Sequence, residues 1–198
     1  MNMLKKILRS SFKNTPRLLP GYFVRTISDP TAWPDGINKA YNGITSIPLS
    51  TVCSDFKTKD NTLSWWYLEN TSQQSLEELS AALISLYQNE EKGKINLIII
   101  PAKVIMKRFD IIKTPEHAHT AIISARDRHY DMRNMDLAKL NQISIHVAKI
   151  TSHHKRQQGT MKRINFESAI LALSKADQRG DLETKGMAKW IKQMLPKC

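Results

Sequence analysis

The side chains able to do chemistry in this 198-residue chain are six histidines, two cysteines and a scatter of carboxylates. His117 and His119 lie two apart, so on a strand they would share a face and offer two metal ligands. A zinc-type site needs further ligands, and each ligating imidazole needs a partner to orient it. No HExxH and no paired CxxC supplies them, and His153 and His154 fall in a polar stretch. The sequence therefore predicts no metal and no cofactor. Asp55, Asp60 and Glu69, with Lys57 and Lys59, have the residue types of a metal-dependent nuclease, in which acids and a lysine gather around Mg²⁺ to activate water against a phosphate. Residues 55–60 nevertheless read as a loop of mixed charge, for which solvation is explanation enough. Nothing beside Cys53 activates it, and a small buried residue is its default role. GxGxxG, GxxxxGK[ST] and GxSxG are all absent.

Charge is the more informative feature. The formal net charge is +12, and successive fifty-residue blocks, the last ending at residue 198, carry +5, −3, +4 and +6. An excess of this size favours an anionic partner, nucleic acid first and an acidic protein second. The cations expected to meet it are Lys103, Lys107, Arg108, Lys155, Arg156, Lys162, Arg163, Lys185, Lys189 and Lys192. Lys185, Lys189 and Lys192 fall at i, i+4 and i+7, which on a helix is one face. With a second helix ending at Gly180, they outline a helix-turn-helix. A packed hairpin with a solvated lysine stripe fits the same residues and is the commoner case. Trp65, Trp66 and Tyr67 could stack bases on a sheet. Since neighbours on a strand point to opposite faces, core packing is the simpler reading for both tryptophans.

The elements that must position these groups follow from pattern. Prolines 16, 20, 30, 34 and 48 make long regular elements improbable over residues 1–60, apart from a short strand over residues 22–27. Residues 1–20 form a basic arm, free of acids until Asp29, which is also the composition of an organelle transit peptide. Residues 63–68 are dense in aromatics and predict a strand. Ser75 and Glu78 fit a capping box for a helix carrying Leu76, Leu79, Leu83, Leu86 and Tyr87, with Lys92 and Gly93 as its stop. Residues 95–100 are apolar with little alternation, as a strand buried on both faces would be. Strand, helix, strand predicts a βαβ unit with parallel strands. Residues 120–123 suggest a further short strand. Ser124 and Asp127 would then cap a long helix whose apolar face runs from Met132 through Ile143 to Ile150. Residues 152–159 form a basic linker. Beyond it, Asn165 and Asp181 are the expected caps of two hairpin helices.

The expected architecture is thus α/β, with mixed α+β as a variant: a small βαβ-containing core over residues 21–152 and a helical hairpin appended over residues 160–198. The two cysteines, far apart in sequence, give no disulfide framework, so a reducing, cytoplasmic setting is expected. No run approaches the roughly 20 apolar residues of a spanning helix. The expected function is non-enzymatic binding of nucleic acid without strong sequence preference, or membership of a complex. A metal-dependent nuclease or toxin-like effector and a module for an acidic protein partner are the alternatives.

Overall fold

The computed structural model describes residues 18–27, 55–56, 60–86, 93–151 and 159–195. The first three strands are β1 (Tyr22–Ile27), β2 (Leu63–Leu68) and β3 (Lys94–Pro101), and helix α1 (Gln73–Ile84) lies between the second and third. A short helix α2 (Ala102–Met106) follows directly, then β4 (Ile111–Lys113), β5 (His129–Met132), α3 (Leu137–Thr151), β6 (Thr160–Asn165), α4 (Phe166–Gln178) and α5 (Lys189–Met194). The six strands form one sheet in the order β4-β5-β2-β1-β3-β6, with every neighbouring pair antiparallel. The chain is therefore α/β, as its pattern predicts.

β2 and β3 do run parallel to each other around α1, yet they do not touch. β1 is threaded between them and is antiparallel to both, with Val24 opposite Trp66 on one side and Ile99 on the other. The sheet is buried on both faces. Val24, Trp66, Leu97 and Ile99 pack under α1, α4 and α5 with Leu76, Leu79, Leu173 and Ile191. Phe23, Trp65, Ile98 and Ile100 pack under α2 and α3 with Ile105, Ile143 and Val147. Both tryptophans thus fill core, on opposite faces, as strand geometry requires. β3 is apolar on both sides because it has a helical layer on both sides. Leu97 and Ile99 belong with Leu79, whereas Ile98 belongs to the other layer.

Several boundaries differ from expectation, each for a local reason. α1 starts at Gln73, because Ser72 Oγ takes the Ser75 N–H at 3.2 Å. It ends at Ile84 rather than near Gly93: the Ser85 hydroxyl turns back to Ala82 O at 2.8 Å and accepts the Ala121 N–H at 2.8 Å. The long helix expected from Ser124 begins only at Leu137, where Asp136 Oδ1 accepts the Lys139 N–H at 2.8 Å. Met132 instead sits on β5, whose pairing with both β2 and β4 gives its backbone more partners than an unpaired helical turn would. Residues 120–123 form no strand of their own, only a bridge from Ile122 to Leu182.

The segment read as a helical appendage contributes a strand and a helix to the shared core. β6 pairs with β3 along its length, so residues 164 and 165 are strand, and α4 packs on α1. α4 stops where expected: Gly180 adopts φ +69°, its N–H reaches Asp177 O, and the Asp181 N–H reaches Ala176 O. Asp181 does not cap a second helix. Its carboxylate takes the Ser124 N–H at 2.8 Å and the Ser124 hydroxyl at 2.5 Å, and Glu183 N–H bonds Ala121 O. Held extended in this way, the chain cannot turn helical until Lys189, and no tight helix-turn-helix forms. The basic arm over residues 1–17, the linker over residues 152–158, Cys53 and Cys198 lie outside the described residues. Among the described residues no helix is long and apolar enough to cross a membrane.

A close approach makes Gly21 indispensable. Its carbonyl accepts the Ala102 N–H at 2.8 Å, and a Cβ there would lie 2.1 Å from Leu68 O. Gly21→Ala should therefore destabilise the protein by forcing β1 off β2. Leu97→Ala should cost about 2–5 kcal/mol in urea unfolding, and Leu83→Ala clearly less, because Leu83 is only partly buried. Equal losses at the two leucines would contradict this difference in burial.

Candidate nucleic-acid interface and a buried polar cluster

The structure separates the cations into two populations. One is matched by groups of the fold, Arg25 in the interior and the others at the surface. Arg25, on β1, donates from Nη1 to Ser64 O at 2.5 Å and from Nη2 to Asp55 O at 2.7 Å, and lies 5.5 Å over the Phe56 ring. Burial pushes its guanidinium down to about 10 against the pull of Asp55 and Asp131, so it stays charged at neutral pH. Lys113 pairs with Asp127 at 3.2 Å, Arg133 with Asp110 at 3.0 Å, Arg126 with Glu183 and, more loosely, Arg128 with Glu78 at 4.0 Å. Lys139 donates to Asn134 O at 2.8 Å.

The other population contains the cations singled out from sequence. Lys103, Lys107, Arg108, Lys162, Arg163, Lys185, Lys189 and Lys192 are all exposed, and none forms an ion pair or side-chain hydrogen bond among the described residues. Lys155 and Arg156 lie outside the described residues. The eight do not form a single patch. Lys103 is on α2, with Lys107 and Arg108 in the turn after it, on the layer built around Val104 and Ile105. Lys189 and Lys192 are on α5, across the sheet, on the layer built around Ile191. Lys185 sits in the preceding turn rather than on the helix, so the i, i+4, i+7 face does not form. Lys162 and Arg163 occupy alternate sides of the edge strand β6, where charge also blocks pairing with another chain.

The groups considered for catalysis are dispersed. Asp60 sits in a turn with φ +52°, Glu69 is exposed beyond β2, and Lys57 and Lys59 lie outside the described residues. His117 is in a 3-10 turn (Pro115–His117) rather than on a strand with His119. Among the described residues no group of three His, Cys, Asp or Glu side chains is placed to hold a metal ion.

One constellation was missed by sequence reasoning. Asp131, on β5, is 2% exposed, and three donors converge on it. Ser64, its neighbour across the strand pair, donates at 2.9 Å, His117 Nδ1 is 2.7 Å away, and the Thr114 hydroxyl is the third. Burial alone would push the Asp131 carboxyl up. The bonds from His117, Ser64 and Thr114, with His129 nearby, overcome this and hold it below the ordinary range. Behind it, His129 Nδ1 donates to Thr114 O at 2.9 Å and stacks edgewise on Trp66. Burial pushes the His129 imidazole down against Thr114 and Asp131. The cluster clamps the segment after β4 onto the sheet. The only sequence signal for it was the polar–apolar alternation of His129 to Met132, too short to outweigh the helical periodicity beyond it.

At the open end of β2 and β5 lies a cleft of about 400 Å³, walled by Tyr67 and Tyr130 and rimmed by Lys113, Arg128, Glu69 and Asn70. No family model, curated protein or solved structure matches the chain.

The buried cluster makes the fold acid-sensitive. His129 has a lowered pKa in the folded state, so its contribution is complete above about 6.5 and is lost as pH falls below that value. Asp131 is also depressed, so a second loss is expected below about pH 4. Urea midpoints should fall from pH 7 to pH 5, and this step should shrink in His129→Gln. Asp131→Ala, which strands buried donors, should cost about 3 kcal/mol at pH 7. A step between pH 7 and pH 5 that is undiminished in His129→Gln would show that His129 is not its source.

Proposed function

We propose that this chain is a non-enzymatic nucleic-acid-binding protein that holds phosphates through exposed lysines and arginines and reads little sequence. The observation that carries the reading is the division of the cations. Arg25 is held by carbonyls in the interior, and Lys113, Arg126, Arg128 and Arg133 face carboxylates at the surface. Lys103, Lys107, Arg108, Lys162, Arg163, Lys185, Lys189 and Lys192 are exposed and form no ion pair among the described residues, in a chain of net charge +12. Unpartnered cations on both layers suit a ligand that is itself a long array of phosphates, since contacts to phosphate fix position and not sequence. The layer of α4 and α5 is the stronger half, with Lys162, Lys175, Arg179, Lys185, Lys189 and Lys192 all exposed. Two cysteines far apart in sequence are consistent with a reducing setting, and the cytoplasm is the one we propose.

The test is retention on duplex and single-stranded DNA and on RNA across a salt series. Wild type should bind tightly at low salt and lose affinity steeply. Replacing Lys185, Lys189 and Lys192 with alanine should reduce the salt slope by up to about 0.9 per lost duplex contact. The unfolding midpoint should barely move, because solvated lysines contribute little to stability. Absence of retention at low salt would overturn the proposal and leave an acidic protein as the partner to pursue.

A further inference from the structure

The cleft at the end of β2 is built differently from the basic surface, and it selects a different ligand. Its volume of about 400 Å³ falls in the range of about 300–1,000 Å³ that holds small ligands. Tyr67 and Tyr130 form an aromatic wall, with ring centroids 5.9 Å apart and Phe23 backing both edge-on. The Tyr67 oxygen accepts the Gly21 N–H at 3.3 Å, which leaves its own proton to donate. Partial burial, reinforced by Tyr67 and opposed by Lys113, pushes the Tyr130 phenol up, so it too keeps its proton at neutral pH. On the rim, Lys113 and Arg128 are each less than half exposed and already face Asp127 and Glu78. Glu69 is exposed and acts only as an acceptor. Asn70 Oδ1 is occupied by the Ser72 N–H and the Ser75 hydroxyl, so its amide nitrogen is the donor it has left.

These groups define the ligand's chemistry. The lining holds two cations, Lys113 and Arg128, and two carboxylates, Glu69 and Asp127, so a bare anion meets no net attraction. A ligand that suits all of them carries one anionic group for Lys113 and Arg128. It also presents hydroxyl or amino donors for Glu69 and a flat ring to lie against Tyr130. Free sugars lack the anionic group and the flat aromatic ring, and inorganic phosphate lacks everything but the charge. We infer that the cleft binds a nucleotide unit, with its phosphate between Lys113 and Arg128, its base against Tyr130 and its hydroxyls toward Glu69. The unit is either a free nucleoside monophosphate or the phosphorylated end of a strand, and the shared chemistry is the same. Base–aromatic stacking of about 1–3 kcal/mol per base makes the wall tolerant of base identity.

The experiment is calorimetric titration of the full chain with the four nucleoside monophosphates, a 5′-phosphorylated trinucleotide, the corresponding nucleosides and inorganic phosphate. Saturable binding of a monophosphate or of the trinucleotide is expected, at least about tenfold tighter than nucleoside or phosphate alone. A monophosphate that binds as tightly as the trinucleotide identifies a free nucleotide, and preference for the trinucleotide identifies a strand end. Lys113→Ala and Arg128→Ala should each weaken the phosphate-bearing ligands about tenfold or more and leave the nucleosides within about twofold. Glu69→Gln, an exposed change that cannot unfold the protein, should weaken nucleosides and nucleotides alike. The variant lacking Lys185, Lys189 and Lys192 should bind nucleotide as wild type does, so failure of the surface proposal and failure of this one read out separately. No binding of any phosphate-bearing ligand up to about 5 mM overturns the inference, as does binding unaffected in Lys113→Ala and Arg128→Ala.

Discussion

Every layer of the molecule depends on β1 lying between β2 and β3. Without it those strands would be parallel partners around α1, a smaller unit with one covered face. With it, the sheet gains a strand antiparallel to both neighbours, and Val24 joins Trp66 to Ile99 across three strands. Phe23 does the equivalent on the other face, with Trp65, Ile98 and Ile100. β1 also carries Arg25, whose guanidinium fastens residue 55 and the β2 backbone at Ser64. Its position is enforced from the residue before it: only glycine at position 21 lets the chain pass Leu68 O while presenting its carbonyl to α2.

The polar cluster on β5 and the cleft are consequences of that arrangement. Because β1 fills the middle of the sheet, β2 is free to pair outward with β5, which brings Ser64 opposite Asp131 and Trp65 opposite Tyr130. The first pair anchors the carboxylate that holds His117 and, through Thr114, His129. The second pair places Tyr130 on the wall of the cleft beside Lys113, its partner on β4. A single register therefore fixes both the clamp on the residues after β4 and the spacing of aromatic and cation at the rim. Sliding it by one residue would turn Asp131 into the other layer and Tyr130 out of the cleft.

Elements whose patterns are local were legible in the sequence. The strands over residues 22–27, 63–68 and 95–100, the opposite-facing tryptophans and the stop of α4 at Gly180 each rest on period or a residue with one conformational use. What was not legible is non-local. Nothing within β2, α1 and β3 announces that a strand forty residues earlier will enter between two strands that look like neighbours. Ser124 and Asp181 each resemble a helix cap, and both are spent on each other instead. Met132 continues the apolar period of α3 yet belongs to a strand, because pairing on two sides outweighs one turn of helix. The site followed the same rule: the exposed cations were readable one by one, whereas Asp131 gains meaning only from Ser64 on β2 and from Thr114 and His117 in the turn after β4.

The division of the cations gives the exposed ones their weight. A basic chain could meet its need for solubility with any arrangement of positive charge, including one in which most cations face nearby acids. Here Asp127, Glu183 and Asp110 are matched by Lys113, Arg126 and Arg133 at the surface, while Asp131 and Asp181 are held by hydroxyl, imidazole and backbone donors near their own strands and turns. The paired cations are thereby matched in place, and Lys103, Lys107, Arg108, Lys162, Arg163, Lys189 and Lys192 form no such pair among the described residues. A phosphate chain approaching α4 and α5 meets Lys189 and Lys192, which form no ion pair among the described residues, and Lys185, which has Glu183 nearby, so the release of their counterions is the main change on contact. At the cleft the reverse holds. Lys113 and Arg128 are already faced by carboxylates, and a ligand can take them only by bringing contacts to the aromatic wall as well as charge.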